Sequence, residues 1–494
     1  MSSFRQKVVS FIRQLSTSSL HEDNASENFI QNYLKGKEIH RHEPDILHGR
    51  SPQELPPRTI GDFSYPVLNC MTGPDGGLTT VNKQEKHVSA SDPDIHFIDD
   101  QTDNASVVQD INSNVSCASS ATTNCLSKNF VPLQKSESAP VCQDAQNEPT
   151  QQPENADSEV EIAGVVHWNR PHNRAYGAST TLYELHPVTR VNAGEPIADC
   201  FAIVARKDSA ILVLADGVNW GQKACIAARA AVHGCVDYLN KSIFSLIMKE
   251  TFTTTEIFRS LLRSFNSAHN LILQEEGMLT TLTAVVVLPL PIPGKYIACC
   301  CNVGDSLAYV YNPRYGVREL TQGSHDVYTM RDMRDALGAL GPVDGQNPEL
   351  TNLTLAMTEV EPDDLVFVTS DGVSDNLDPV IGKFAGLPTV EAFQRHKLTL
   401  LRTEDLLRNG VSGKGSPVKN AKELVVNLLD FVTRLTAAKR HILEDVDLYV
   451  SSEGKDLSRN EQRSRRKEIS GKLCLVPGKL DHATVVAYSV GQMD

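Results

Sequence analysis

Seven short apolar runs limit what this chain can fold into. They are Cys200–Val204, Ala210–Ala215, Thr283–Leu288, Tyr296–Cys301, Leu307–Tyr311, Leu365–Thr369 and Thr484–Tyr488, each of strand length and none long enough for a helix of its own. Longer stretches between them carry helical spacing. Gln222 to Tyr238 sets Ala, Ile, Val and Cys on one stripe, Thr255 to Gln274 carries Ile257, Leu261, Leu262, Phe265, Leu271 and Ile272, and Lys422 to Leu443 carries Leu424, Val425, Leu428, Phe431, Val432 and Leu435. Strands arrive in neighbouring pairs and helices in bursts, without regular alternation. That order predicts an α+β fold with antiparallel sheets rather than a doubly wound parallel one.

The rest of the chain divides by composition. Residues 41–160 hold 18 Asp and Glu against 7 Lys and Arg, with four aromatic residues and no Trp. So little apolar surface cannot offset the entropy of ordering, and the stretch is expected to be disordered. It supplies most of the formal charge of −14, an acidic balance that argues against a general nucleic-acid binder. No apolar run reaches the roughly 18 residues of a membrane span. Residues 1–40 form a basic amphipathic segment, free of acids over its first twenty residues, with Phe4, Val8, Phe11, Ile12 and Leu15 at helical spacing. It reads as a mitochondrial transit peptide, a helix on an acidic membrane surface, or a short docking helix or tail. One folded domain is expected over 161–494. Within it a basic insertion, Lys455–Lys472, reads either as a solvated segment or as a docking patch for an acidic partner or the chain's own tail. Eleven Cys form neither a disulfide framework nor a CxxC zinc site, which fits buried thiols of a reducing compartment. The expected location is the cytoplasm, with the mitochondrion as the alternative. Gly410–Pro417 lacks the spacing of a phosphate-binding loop and reads as a turn.

Certain acids sit where the apolar runs end. Asp216-Gly217 follows Ile211–Ala215, Asp305 follows Asn302-Val303-Gly304, Asp371-Gly372 follows Val366–Ser370, and Asp481 stands just ahead of the last run. An Asp-Gly pair alone is an ordinary turn, as at Asp75-Gly76 and Asp344-Gly345. If neighbouring strands bring four such acids together, the crowding is costly unless one is protonated or a cation lies among them. Oxygen ligands without paired His or Cys suit Mg²⁺ or Mn²⁺, and Gly217 leaves its carbonyl free to turn toward such an ion. Two ions about 4 Å apart would activate water and clamp a phosphoryl group, which points to hydrolysis of a phosphate ester.

Six stretches strengthen this reading: Ala215–Gly221, Leu279–Ala284, Asn302–Ser306, Ala336–Gly338, Thr369–Asp375 and Asp481–Val486. In order and rough spacing, the chain resembles the metal-dependent protein phosphatases of the protein phosphatase 2C type (the PPM-type phosphatase domain), over about residues 175–490, as a divergent member. The resemblance implies two stacked antiparallel sheets flanked by helices, an αββα sandwich with a dinuclear Mn²⁺ or Mg²⁺ site at one end. Its substrates would be phosphoserine and phosphothreonine proteins. It also implies roles for single residues. Asp216 matches the metal-bridging acid and Gly217 the carbonyl ligand. Asp371 and Asp481 match the further metal acids, and these two with Asp216 form the catalytic set. Asp305 matches an acid of a third, weaker ion site, Asp199 the second of an acidic pair and is counted with the metal-site residues, and Asp375 an acid that orients water or the weaker ion.

The chain also departs from the pattern. Ala198 stands where the family usually has Glu, and Val218 where a His often donates the leaving-group proton. His482 replaces Asn, and Arg174 and Arg190 are the available candidates for a phosphate-gripping Arg. Two readings therefore stand: a protein serine/threonine phosphatase working through two divalent ions, and a pseudophosphatase that serves as a binding platform.

Overall fold

The structure, a computed structural model, describes residues 42–81, 161–244, 252–328, 336–384 and 391–493, together with Ile30 and Tyr33. Its strands in chain order are β1 (Leu47–Gly49), β2 (Val67–Gly73), β3 (Ala175–Thr181), β4 (Asp199–Arg206), β5 (Ala210–Asp216), β6 (Leu282–Pro289), β7 (Tyr296–Val303), β8 (Leu307–Asn312), β9 (Gly316–Glu319), β10 (Ala339–Asp344), β11 (Asn347–Glu349), β12 (Thr354–Val360), β13 (Leu365–Thr369) and β14 (His482–Ser489). The α-helices are α1 (Gln222–Ile243), α2 (Thr254–Gln274), α3 (Asp371–Leu377), α4 (Pro379–Gly382), α5 (Ala392–Asn409), α6 (Ala421–Leu443) and α7 (Arg459–Leu475). One sheet runs β1-β12-β7-β6-β5-β4-β2 and a second runs β3-β14-β13-β8-β9, while β10 and β11 pair apart. Their pairings are antiparallel, as the sequence predicts.

Alternate residues of a strand face opposite ways, and here both faces are covered. Cys200, Ala202, Ile211 and Val213 pack with α1 and α2. Phe201, Ile203, Leu212 and Leu214 meet Val366, Val368, Val486 and Tyr488 of the second sheet. The far face of that sheet, through Tyr309, Phe367 and Val485, packs on Leu424, Leu428 and Phe431 of α6. The layers are thus helix, sheet, sheet, helix. Strands buried on both faces write unbroken apolar runs, which is why seven of them were readable. The helices begin where side chains satisfy their first N–H groups. Thr253 and Glu256 form a capping box on α2, and the Asn420 side chain accepts from the Glu423 N–H on α6.

One expectation fails. Residues 42–81 are not part of a solvated tail. β2 pairs with β4 and β1 with β12, and Leu55, Cys70 and Leu78 are buried in the core. Composition averaged over residues 41–160 was dominated by the Ser-, Asn- and Gln-rich part and hid the run Val67-Leu68-Asn69-Cys70-Met71. The remainder of the expected tail, 82–160, and the basic segment 1–40 apart from Ile30 and Tyr33 lie outside the described residues. The basic insertion is the helix α7, with no buried residue, opened by a Ser458–Glu461 capping box and touching the domain where Arg466 reaches Glu184 and the Tyr449 hydroxyl. Among the described residues the cysteines are free and all buried except Cys474, and no helix is long and apolar enough to cross a membrane.

Two measurements test this architecture. Deleting residues 42–81 strips β4 of its outer partner β2 and β12 of β1 and bares backbone groups at both sheet edges, so the shortened chain is expected to lose its cooperative thermal transition, which circular dichroism reads. The second concerns Glu319, buried at the end of β9 with an oxygen 2.7 Å from each of the His325 and His396 Nε2 atoms. Burial alone would raise its carboxyl, but His325 and His396 outweigh that and hold it well below the usual range. A depressed carboxyl stabilises the fold above the unfolded-chain value near 4.5 and loses that contribution as pH falls below it. Glu319→Ala is therefore expected to cost about 3 kcal/mol at pH 5.5, with a smaller difference from wild type at pH 3, where the carboxyl's contribution is being lost, by urea unfolding.

Candidate active site

At one end of the sandwich the strands deliver acids to a common place. Asp199 opens β4 and Asp216 closes β5, and the antiparallel register sets them directly opposite each other. Like charges facing across a ladder are destabilising. Asp305 sits in the turn between β7 and β8, Asp371 begins α3 after β13, and Asp481 directly precedes β14. Asp216, Asp305, Asp371 and Asp481 line one open pocket of about 300 Å³, with Gly217, Tyr183 and Lys479 among its other walls.

The glycines after Asp216 and Asp371 make this convergence possible. A Cβ on Gly217 would lie 2.6 Å from the Ala224 carbonyl oxygen, and one on Gly372 1.8 Å from that of His482. Backbone passes too closely there for any side chain, so these Asp-Gly pairs mark close approach rather than turns alone. The end of β5 is clamped from the other side: the Asp216 N–H donates to Thr281 Oγ1 at 3.0 Å, and its carbonyl accepts from Thr280 Oγ1 at 2.9 Å.

The cluster is electrostatically tense. Burial first, then Asp199, Asp371, Asp481 and Asp305, push the Asp216 carboxyl well above the usual range. Burial and then Asp371 push Asp481 up to about 6. The Tyr183 hydroxyl donates to Asp481 Oδ1 at 3.1 Å and is itself pushed up by burial and by Asp481. Asp199 does not face the pocket. It lies fully buried behind Asp216, with Oδ2 accepting from Thr484 Oγ1 at 2.6 Å and the Ser370 hydroxyl also bonded to the carboxylate.

The sequence reading missed Lys479. Its Nζ stands 2.5 Å from Asp371 Oδ2, 2.8 Å from Asp375 Oδ2 and 3.1 Å from Asp481 Oδ2. Burial alone would lower this ammonium, but Asp375, Asp371 and Asp481 outweigh it and hold it above the ordinary lysine range. Asp375 is thus engaged by a lysine, where the resemblance had it orienting water or a weaker ion. The signal was in the spacing. In extended chain, residues two apart point the same way, so Lys479-Leu480-Asp481 places cation and acid on one side.

The other marked positions fall elsewhere. His482 is buried, its Nδ1 accepting from the Ala198 N–H at 3.3 Å and its Nε2 2.9 Å from the Gly194 carbonyl oxygen, so it pins the approach to β4 rather than facing the pocket. Arg174 donates to the Val490 carbonyl at 2.6 Å and pairs with Asp363 at the opposite end of β14. Arg190 is exposed, and no Arg is among the described residues lining the pocket. Val218 lines the pocket, and Trp220, largely exposed, stands 6.5 Å from the Tyr183 ring at its rim.

A family model described as protein phosphatase 2C matches residues 189–405. The PP2C-like domain-containing protein CG9801 of Drosophila melanogaster is 36% identical, with 99% of this chain and 96% of that protein covered. Among solved structures, the photosystem II phosphatase PBCP is 16% identical over 65% of this chain and 100% of its own, with a TM-score of 0.31. The serine/threonine phosphatase Stp1 from Staphylococcus aureus is 13% identical over 65% of this chain and 96% of its own, with a TM-score of 0.29.

The crowding at Asp216 has a measurable consequence. Asp216→Asn removes a charge that faces Asp199 across the ladder and keeps the side chain's shape. In the presence of a metal chelator it is expected to stabilise the domain by about 1–2 kcal/mol, read from denaturant unfolding beside wild type.

Proposed function

The chain belongs to the protein phosphatase 2C family, and we propose that it is a metal-dependent phosphatase acting on phosphoserine and phosphothreonine in proteins. The observation that carries the reading is the convergence of Asp216, Asp305, Asp371 and Asp481 on one open pocket. The donor set was tested against a hard divalent ion. Carboxylate oxygens and the Gly217 carbonyl suit Mn²⁺ or Mg²⁺, and the gathering of Asp216, Asp305, Asp371 and Asp481 on one pocket leaves negative charge for a cation to offset. Asp216, Gly217 and Asp305 would hold such an ion, while Asp371 and Asp481, which match the family's further metal acids, are paired with Lys479. A bound divalent ion supplies Lewis acidity toward water and phosphoryl oxygens.

The chain's own residues do the remaining work. Thr280 and Thr281 fix the backbone of Asp216, and the Tyr183 hydroxyl fixes Asp481 Oδ1. Trp220 and Tyr183 give the rim an aromatic wall for a peptide segment beside the phosphate. Val218 cannot donate a proton to the departing hydroxyl, and losing a general acid costs roughly 10²–10⁴ in that step. Turnover is therefore slow.

A second reading, a folded platform without turnover, has its own support: Lys479 among the acids, and the absence of any Arg among the described residues lining the pocket. Phosphate release from phosphothreonine peptides in millimolar Mn²⁺ separates the two. The phosphatase reading expects release by the full chain, abolished by chelator and reduced at least about 100-fold in Asp216→Asn. No release from wild type leaves the platform.

A further inference from the structure

We propose that the Lys479 ammonium replaces one of the two divalent ions, so that the pocket takes a single ion on its Asp216, Gly217 and Asp305 side. The inference rests on the reading above that these acids surround a cation site. An ammonium has three N–H donors, and Nζ of Lys479 has three carboxylate oxygens within 3.1 Å, one each from Asp371, Asp375 and Asp481. Two of those acids are the ones the family would use for metal. A divalent ion bound between Asp371 and Asp481 would meet a like charge already bonded to both.

The lysine is also held from behind. Its backbone N–H donates to Asn376 Oδ1 at 2.8 Å, and its carbonyl accepts from Asn376 Nδ2 at 2.9 Å. Asn376 in turn donates to the Gly372 carbonyl at 2.7 Å, one residue from Asp371. The root of the side chain is thereby fixed to the same short helix that carries Asp371 and Asp375. On the opposite side of the cluster the arrangement differs: Asp216 faces Asp199 directly across the ladder, and no Lys or Arg besides Lys479 is among the described residues lining the pocket. Among these described lining residues, positive charge is thus built in on one side.

Calorimetric titration of the full chain with Mn²⁺, with free ion counted by electron paramagnetic resonance, tests this. Wild type is expected to bind one ion. Lys479→Met, of similar length but uncharged, is expected to bind a second ion, or to bind the first about tenfold tighter. In chelator the variant should unfold at a lower temperature than wild type, and Mn²⁺ should restore it because the ion takes the ammonium's place. Lys479→Gln provides a second neutral variant with the same expectations. Two ions on wild type, the same ion count and affinity in wild type and variants, or a loss of stability that Mn²⁺ does not restore would each overturn the proposal. Ion counting involves no turnover, so an inactive chain that gains an ion on losing Lys479 would refute the phosphatase reading and leave this one standing.

Discussion

Face-to-face packing of two antiparallel sheets, about 10 Å apart, is the constraint on which the rest depends. The inner faces interlock through Phe201, Ile203, Leu212 and Leu214 against Val366, Val368, Val486 and Tyr488. Once β4, β5, β13 and β14 are held in that stack, residues at their ends have nowhere else to go. Asp199, Asp216, Asp371 and Asp481 meet because apolar side chains far from them are buried, and burial of that area outweighs the electrostatic cost of the meeting.

That cost is met in two different ways within one cluster. Asp371, Asp375 and Asp481 are served by a lysine on the same chain. Asp216 and Asp199 face each other across a strand pair, and Asp216 carries a strongly raised carboxyl whose causes, after burial, are the neighbouring acids. The asymmetry is therefore between the two sides of one pocket. Val218 and Ala198 add two inert side chains at this end of the sandwich, at positions where the resemblance implies a proton donor and an acid.

Much of the fold could be read in the sequence because strands covered on both faces leave no alternation to decipher. β3 and β12 went unread for a physical reason. Ala175–Thr181 is an edge strand rich in Ser and Thr, and Thr354–Val360 mixes Thr and Glu among its apolar residues. Helix α5 was missed because Gln394, Arg395, His396 and Lys397 crowd its first turns. The acids of the site were legible from their places after apolar runs. Lys479 was not read, because its two-residue spacing from Asp481 does not by itself distinguish it from a solvated lysine ahead of a strand. Asp199 was placed at the correct strand but given a ligand's role, and its burial behind Asp216 depends on a register that sequence does not carry.

The two earliest described strands close opposite borders of the large sheet: Leu47 lies beside Met357 and Val67 beside Arg206. A nascent chain emerging from the ribosome would expose β1 long before its partner β12 has been made, and loop closure over such a span is slow. Because β12 is the last of this sheet's strands in the chain, the β1–β12 border is the one outer edge that cannot close until the others exist.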